Sequence, residues 1–166
     1  FTKKNYINSG IISEKINVIN YGINTELFRK KESFLKTNLD SSFKFLYYSF
    51  FDSEKTFNLL LEAFCEEFYN TDNISLVIYK EEYTRHNEEK KQKLKNKLLY
   101  FIKRYNFKET TNINIIFDCL IEDKNTVDLL NMSNCYVYPY YEESDCISLL
   151  QAMSCELPVI TTNGGA

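Results

Sequence analysis

The chain has 166 residues, 44% of them hydrophobic, and a formal net charge of −3. This length fits a single domain with a sizeable core, and the near-neutral charge argues against nucleic acid as the main partner. The sequence shows no signal-peptide pattern and no apolar run of the ~20 residues that a membrane helix needs, and its five cysteines lack CxxC spacing, so we expect a cytoplasmic protein with buried free thiols rather than a disulfide or zinc site.

The first 22 residues mix polar and aromatic types. Ile16 and Val18, followed by Tyr21-Gly22, predict one short strand and a turn. Residues 29–42 are mainly polar and predict a loop with some helix. Beyond them, five apolar runs predict buried strands: Phe43–Phe50, Ile74–Tyr79, Ile113–Phe117, Cys135–Pro139 and Val159–Thr162.

Helical patterns occupy the intervals between these runs. The first has a stripe at i, i+3, i+4, i+7 and i+11, and the second is long and charged, typical of a helix on the surface. The four patterns cover Phe57–Phe68, Glu81–Tyr105, Val127–Leu130 and Cys146–Met153. Residues able to cap a helix precede three of them: Asp52 or Ser53, Asn125 or Thr126, and Ser144 or Asp145.

Alternating strands and helices predict a Rossmann-like α/β fold, in which a parallel sheet is covered by helices on both faces. Right-handed crossovers favour the strand order 3-2-1-4-5. The ligand crevice of such a sheet lies beyond the carboxyl ends of strands one and four. We therefore expect Lys55 and the acidic pair Glu142-Glu143 to face one crevice, beside a helix amino end that attracts phosphate.

The last part of the chain carries a recognisable pattern. From Glu143 it reads glutamate, seven residues, Gln151, then Ala-Met-Ser-Cys-Glu-Leu-Pro-Val-Ile. This resembles the signature of the GT-B fold retaining glycosyltransferases (glycosyl transferases group 1, or family 4), which is Glu, seven residues, Glu, Ala-Met-Ala-Cys-Gly, one residue, Pro-Val-Ile. Gln151 stands in place of the second glutamate, and Glu156 in place of the glycine.

The resemblance implies an arrangement of domains. Residues 1–22 would be the segment that crosses between the two domains of the enzyme, and residues 23–166 the Rossmann-like domain that binds the nucleotide sugar. We expect this domain to be incomplete at its C-terminus, before a final strand and helices. A missing N-terminal domain would hold a glycan, lipid or protein acceptor and could contact the cytoplasmic face of a membrane.

The resemblance also implies roles for two catalytic residues. Lys55 is similar to a lysine that neutralises the departing diphosphate, although Thr56 and Phe50 replace the usual glycine and arginine near it. Glu143 matches the glutamate that is placed against the donor sugar. The alternative for Lys55 is a solvated lysine at the helix start, paired with Glu54. The alternative for Glu143 is a solvated loop carboxylate or a partner of the helix dipole.

Further residues are implied to bind the donor. Gln151 would hold the ribose through its amide, which accepts with oxygen and donates with nitrogen. Ser144, Asp145 and Cys146 replace a Gly-Phe-Gly turn near the diphosphate, where a negative charge on Asp145 is unfavourable. The main chain at Leu120 would lie near the base, and Gly164 could contact the ligand or only form a turn.

Three functions stay open at this point. The first is sugar transfer from a nucleotide-diphosphate sugar with retention of configuration, for which this chain alone would bind the donor weakly and transfer nothing. The second is a non-catalytic relative that binds nucleotide sugars or acts as a scaffold. The third is an unrelated phosphate-binding domain. Neither an Asp-x-Asp metal motif nor a nicotinamide or P-loop motif is present, so we expect no metal and no cofactor besides the donor substrate.

Overall fold

A parallel sheet of five strands, in the order β3-β2-β1-β4-β5, forms the centre of the computed structural model. The structure describes residues 2–20, 22–33, 43–49, 54–68, 71, 73–80, 88–105, 113–116, 123–140 and 147–163. The strands are β1 (Phe43–Ser49), β2 (Ile74–Lys80), β3 (Ile113–Ile116), β4 (Cys135–Tyr138) and β5 (Val159–Thr161). All four pairings between neighbouring strands are parallel, so the sequence-based strand order is confirmed.

In the described ranges five α-helices accompany the sheet: α1 (Thr2–Asn8), α2 (Glu54–Phe68), α3 (Glu88–Arg104), α4 (Asp123–Met132) and α5 (Ile147–Ser154). Aromatic rings of α2 contact one face of β1. The distance between ring centroids is 6.3 Å for Phe64 and Phe45, and 5.8 Å for Phe57 and Tyr47. Because side chains alternate along a strand, Leu46 and Tyr48 point to the opposite face. Right-handed crossovers put α4 and α5 on that opposite face.

The central strands are buried on both faces, as their continuous apolar sequences predict. Leu46, Tyr47, Leu76, Ile78 and Tyr136 are all fully buried or nearly so. Burial on two faces requires helices on both sides of a parallel sheet. The Rossmann-like α/β class predicted from the sequence is therefore confirmed.

The fifth strand differs from its prediction. We expected a buried strand, but β5 lies at the edge of the described sheet and pairs only with β4. Ile160 is 54% exposed because among the described residues no element packs on its outer side. Its apolar sequence predicted a strand correctly and the burial wrongly.

The N-terminal segment is also different from its prediction. No strand forms in residues 16–20, where Val18 and Ile19 are exposed, and a short 3-10 helix at Ser13–Lys15 precedes them. A strand needs a neighbouring strand to pair with, and none of the described strands pairs with this segment. The structure instead forms α1, which the sequence analysis missed although Gly10, with φ of +89°, marks its end.

The starts of α3 and α4 compare differently with their predictions. α3 is described from Glu88, and residues 81–87, where the predicted helix begins, lie outside the described residues. α4 begins at Asp123, two residues before the predicted Asn125. The predicted caps at 52–53 and 144–145 lie outside the described residues. Of the loop predicted at 29–42, residues 29–33 are described and form no helix, and residues 34–42 lie outside the description.

The end of α5 has a backbone conformation that explains why a glycine is usual there. Leu157 N–H donates to Ala152 O and Glu156 N–H donates to Met153 O, both at 3.0 Å. These two bonds define a Schellman motif, which places the residue after the cap in the left-handed region. That residue is Glu156, with φ of +59°. Leu157 is buried against the core and fixes the exit of the chain.

A short segment before β1, residues 28–33, is attached to α4 and α5. Asn131 accepts from Lys31 N–H at 2.8 Å, and its amide nitrogen donates to Arg29 O at 3.1 Å. Lys31 Nζ lies 3.5 Å from the buried Asp128 carboxylate. Ser154 Oγ donates to Phe28 O, and the Phe28 ring is part of the core. One amide on α4 therefore joins this segment to the helical face.

Of the five cysteines, the three that the structure describes are buried free thiols, as expected from their apolar surroundings: Cys65, Cys135 and Cys155. Burial, assisted by the charge of Glu66, raises the pKa of Cys65 to about 12. Burial also raises the pKa of Cys155, against the opposing influence of its Asn131 contact and two nearby lysines. These thiols stay protonated at neutral pH, so they are poor nucleophiles.

The conformation of Glu156 leads to a prediction about stability. Glu156→Gly should stabilise the folded chain by about 1 kcal/mol, because glycine relieves the left-handed strain and this gain exceeds the entropy that glycine adds to the unfolded state. The thermal midpoint should rise by about 2–4 °C.

Glu156→Ala is the matched control for this substitution. Alanine removes the carboxylate but keeps the Cβ atom that is strained at positive φ, so its stability should not rise. Equal stabilisation by both variants would show that charge, rather than backbone strain, is the cost at this position.

Candidate functional site

Successive strands are added on one side of β1 as far as β3, and then on its other side from β4, so β1 has β2 on one side and β4 on the other. The helices that follow β1 and β4 lie on opposite faces, so a crevice opens beyond the carboxyl ends of these two strands. β1 ends at Ser49 and α2 begins at Glu54; β4 ends at Tyr138 and α5 begins at Ile147. Topology thus brings both helix amino ends to one edge of the sheet.

Tyrosines line the carboxyl ends of the two strands. Tyr47 of β1 and Tyr140, just after β4, have stacked rings whose centroids are 6.4 Å apart. Their hydroxyl oxygens are 3.3 Å apart and buried. Thr162 Oγ1, just after β5, donates to Tyr140 O. The ends of β1, β4 and β5 are therefore joined through Tyr140.

Two further tyrosines, Tyr136 and Tyr138, share one face of β4 with each other. Tyr136 and Tyr138 have stacked rings with centroids 6.0 Å apart, and both are buried. Tyr136 Oη donates to Tyr48 O at 3.1 Å. In the described part of the chain, Tyr138 Oη is buried and has no hydrogen-bond partner. The tyrosine closer to the crevice is therefore the one with an unsatisfied hydroxyl.

Helix α5 carries one of the predicted donor-binding residues. Gln151 is half-buried, and its position is four residues after the start of the helix at Ile147. At 1.5 Å per residue it lies about 6 Å along the helix axis from that start. Ser148, in the first turn, is buried on the sheet side. Gln151 therefore lies about one helical turn from the helix end that attracts anions.

Of the other predicted site residues, the structure describes only the backbone of Lys55. Lys55 is the second residue of α2, but its side chain lies outside the described residues. Glu143, Ser144, Asp145 and Cys146 lie outside them as well. So do Leu120 and Gly164. Their roles stay predictions, while the strand order that would bring Lys55 and Glu143 to one edge is confirmed.

The described ranges contain no group of three or more histidine, cysteine, aspartate or glutamate residues suited to hold a metal ion. None of their helices has the length and apolar character required to cross a membrane.

The sequence analysis missed the tyrosines of the site because it treated Cys135–Pro139 as a purely apolar run. The signal was present in the alternation of Tyr136, Tyr138 and Tyr140. A buried tyrosine brings a hydroxyl that needs a partner, so three at spacing two mark a polar row inside a hydrophobic strand.

The chain matches one protein-family model. The model of the family described as glycosyl transferases group 1 covers residues 28–166, which is most of the chain. No curated protein sequence matches the chain significantly.

Solved structures share its fold. The C-terminal domain of a glycosyl transferase group 1 family protein (LpcC) from Francisella tularensis has a TM-score of 0.66 at 16% identity, over 87% of this chain and 72% of that domain. Sucrose-phosphate synthase from Thermosynechococcus elongatus has a TM-score of 0.70 at 18% identity, over 99% of this chain and 39% of that one. A UDP-forming α,α-trehalose-phosphate synthase from Burkholderia xenovorans has a TM-score of 0.57 at 13% identity, over 76% and 31%. At these identities the likeness concerns the fold, and this chain spans less than half of either synthase.

The contact between the ends of β4 and β5 can be tested by mutation. Thr162→Val should lower the free energy of unfolding by about 1 kcal/mol, because Tyr140 O loses its hydroxyl donor. Thr161→Val, the same change at the exposed neighbouring residue, should stay within about 0.5 kcal/mol of the parent chain. Denaturant unfolding measures both, and equal effects would mean that the Thr162 hydroxyl contributes nothing specific.

Proposed function

The chain belongs to the glycosyl transferases group 1 family, and from this we propose that it is the domain that binds a nucleotide-diphosphate sugar, in an enzyme that transfers the sugar with retention of configuration. The observation that carries the proposal is the strand order β3-β2-β1-β4-β5, with its crevice at the ends of β1 and β4. Doubly wound sheets bind phosphate-bearing ligands at this point.

The diphosphate is the part of the ligand that the helix amino ends would recognise. Free N–H groups and the helix dipole attract anions at the start of α5. Lys55, the second residue of α2, would add a cation from the other side of the crevice. As the bond between sugar and phosphate breaks, negative charge grows on the departing diphosphate, and preorganised positive groups stabilise it more than they stabilise the bound donor.

The sugar and the ribose would be held on either side of that diphosphate. Glu143 follows Tyr140 by three residues, so its Cα lies within about 11 Å of the Tyr140 Cα. Its carboxylate would accept hydrogen bonds from sugar hydroxyls and stabilise positive charge that develops on the sugar ring. Gln151, one helical turn into α5, would hydrogen-bond the ribose.

The whole enzyme would include an N-terminal domain that holds the acceptor, and the reaction would take place in the cytoplasm. One structural neighbour is described as UDP-forming, which makes UDP the first nucleotide to test here. The competing function is a non-catalytic relative that kept the fold. It is favoured by the replacement of the glycines by Ser144 and Cys146, together with the charge of Asp145.

Donor binding by this chain tests the proposal directly. Calorimetric titration with UDP-glucose and GDP-mannose should detect weak binding of one of them. Lys55→Ala should weaken both the nucleotide sugar and the free nucleoside diphosphate by roughly 10- to 100-fold, the effect of losing one charged contact. Lys93→Ala, which removes an exposed lysine that pairs with Glu89 on α3, is the control and should change neither.

Glu143→Gln should weaken the nucleotide sugar while leaving the free nucleoside diphosphate unchanged, because its carboxylate would contact only the sugar. Glu142→Gln changes the adjacent carboxylate in the same way and should have little effect. If the parent chain binds no nucleotide sugar at millimolar concentration, the scaffold function replaces the one proposed.

Gln151→Glu restores the residue that is usual in the family pattern. It should tighten binding of the nucleoside diphosphate by roughly 5-fold, because a carboxylate accepts from both ribose hydroxyls and charged acceptors bind more strongly. Gln92→Glu on α3 adds the same charge at an exposed position and serves as the control. Weaker binding by Gln151→Glu would place this side chain near the phosphates instead.

A further inference from the structure

Tyr138 lies at the carboxyl end of β4, and its hydroxyl has no hydrogen-bond partner among the described residues. The residue is 3% exposed. A buried tyrosine hydroxyl without a partner is costly, and such groups in native proteins call for an explanation such as a ligand or a water molecule.

Comparison with Tyr136 shows that this is a property of the position. The two residues share a strand and a face, and their rings are stacked. Tyr136 is two residues further from the crevice along β4, and its hydroxyl donates to Tyr48 O. Both side chains are buried tyrosines, so the difference is that β1 offers an acceptor to Tyr136, whereas among the described residues Tyr138 has none.

The location of Tyr138 relative to α5 indicates which ligand could use this hydroxyl. The face of β4 that carries Tyr136 and Tyr138 is the one on which α5 lies, because β4 to β5 is a right-handed crossover. Only residues 139–146 separate Tyr138 from the first residue of α5. Tyr138 is therefore the strand residue at the edge of the sheet where the helix amino end attracts anions.

We infer that Tyr138 is a further residue of the donor site, and that its hydroxyl donates a hydrogen bond to a phosphate oxygen of the bound nucleoside diphosphate. This inference rests on the proposed function and adds a neutral donor to it. A phosphate oxygen accepts strongly, and a hydrogen bond to a charged acceptor is shorter and stronger than one between neutral groups. The hydroxyl contributes without adding a charge that would need neutralising in the empty site.

Tyr138→Phe tests the assignment. UDP and GDP are titrated into the parent chain and into the variant, and whichever nucleotide the parent binds should be bound roughly 10- to 100-fold more weakly by the variant. The thermal midpoint of the ligand-free variant should be unchanged or higher, because the substitution removes a polar atom that has no partner.

Tyr136→Phe is the matched control. It removes a hydroxyl that is already bonded within the protein, so it should lower the thermal midpoint by about 2–4 °C while leaving nucleotide affinity unchanged. A structural role for the Tyr138 hydroxyl, for example through a buried water, would give this same result for Tyr138→Phe and would overturn the inference.

A second measurement does not depend on a variant that folds. With 3-fluorotyrosine incorporated at position 138 alone, its ¹⁹F signal should shift on titration with UDP or GDP and stay unmoved with uridine or guanosine. An unmoved signal at saturating diphosphate overturns the assignment. If the parent chain binds neither diphosphate, the proposed function itself fails, which is a different result from binding that is insensitive to Tyr138.

Discussion

The parallel pairing of β1 with β4 is the constraint on which the site depends. Its register is set where the two strands begin: Lys44 N–H donates to Asn134 Oδ1 at 2.8 Å, and Asn134 N–H donates to Lys44 O at 2.9 Å. Phe45 then lies opposite Cys135, and Leu46 opposite Tyr136. A slip by one residue would turn Tyr136 and Tyr138 to the other face. Two hydrogen bonds at the amino end therefore determine which side chains reach the crevice at the carboxyl end.

Tyrosine suits strands that run from a dry core to a polar edge. Its ring fills the space between sheet and helices, and its hydroxyl can be satisfied by whatever lies at that level. In the middle of the sheet the partner is a backbone carbonyl, as for Tyr136. Toward the edge the partners become side chains, as for Tyr47 and Tyr140. The polar character of the crevice thus begins within the buried strands.

The sequence was sufficient for the architecture and much less so for the site. Long apolar runs such as Phe43–Ser49 define strands because burial on two faces permits few polar residues. Burial of β5 could not be predicted, since Ile160 has the same apolar character whether or not another element covers it. The strand predicted at Ile16 and Val18 failed because local propensity cannot supply a pairing partner. For Lys55 and Glu143, the strand order restricts the position of each residue to one edge of the sheet. The direction of each side chain does not follow from the strand order.

The departures from the family pattern differ in what they mean for activity. Glu156 occupies a left-handed position that the backbone hydrogen bonds of the α5 terminus impose. The strained backbone at Glu156 lowers the stability of the fold, and it lies at the end of the helix away from the crevice. The direction of α5 is retained because Leu157 is still buried. Ser144, Asp145 and Cys146 precede the other end of α5, where backbone N–H groups would approach phosphate. Under the proposed function, a Cβ or a negative charge there would act on the ligand itself. The residue at 156 affects the helix end away from the crevice, whereas the three residues before Ile147 would bear directly on donor binding.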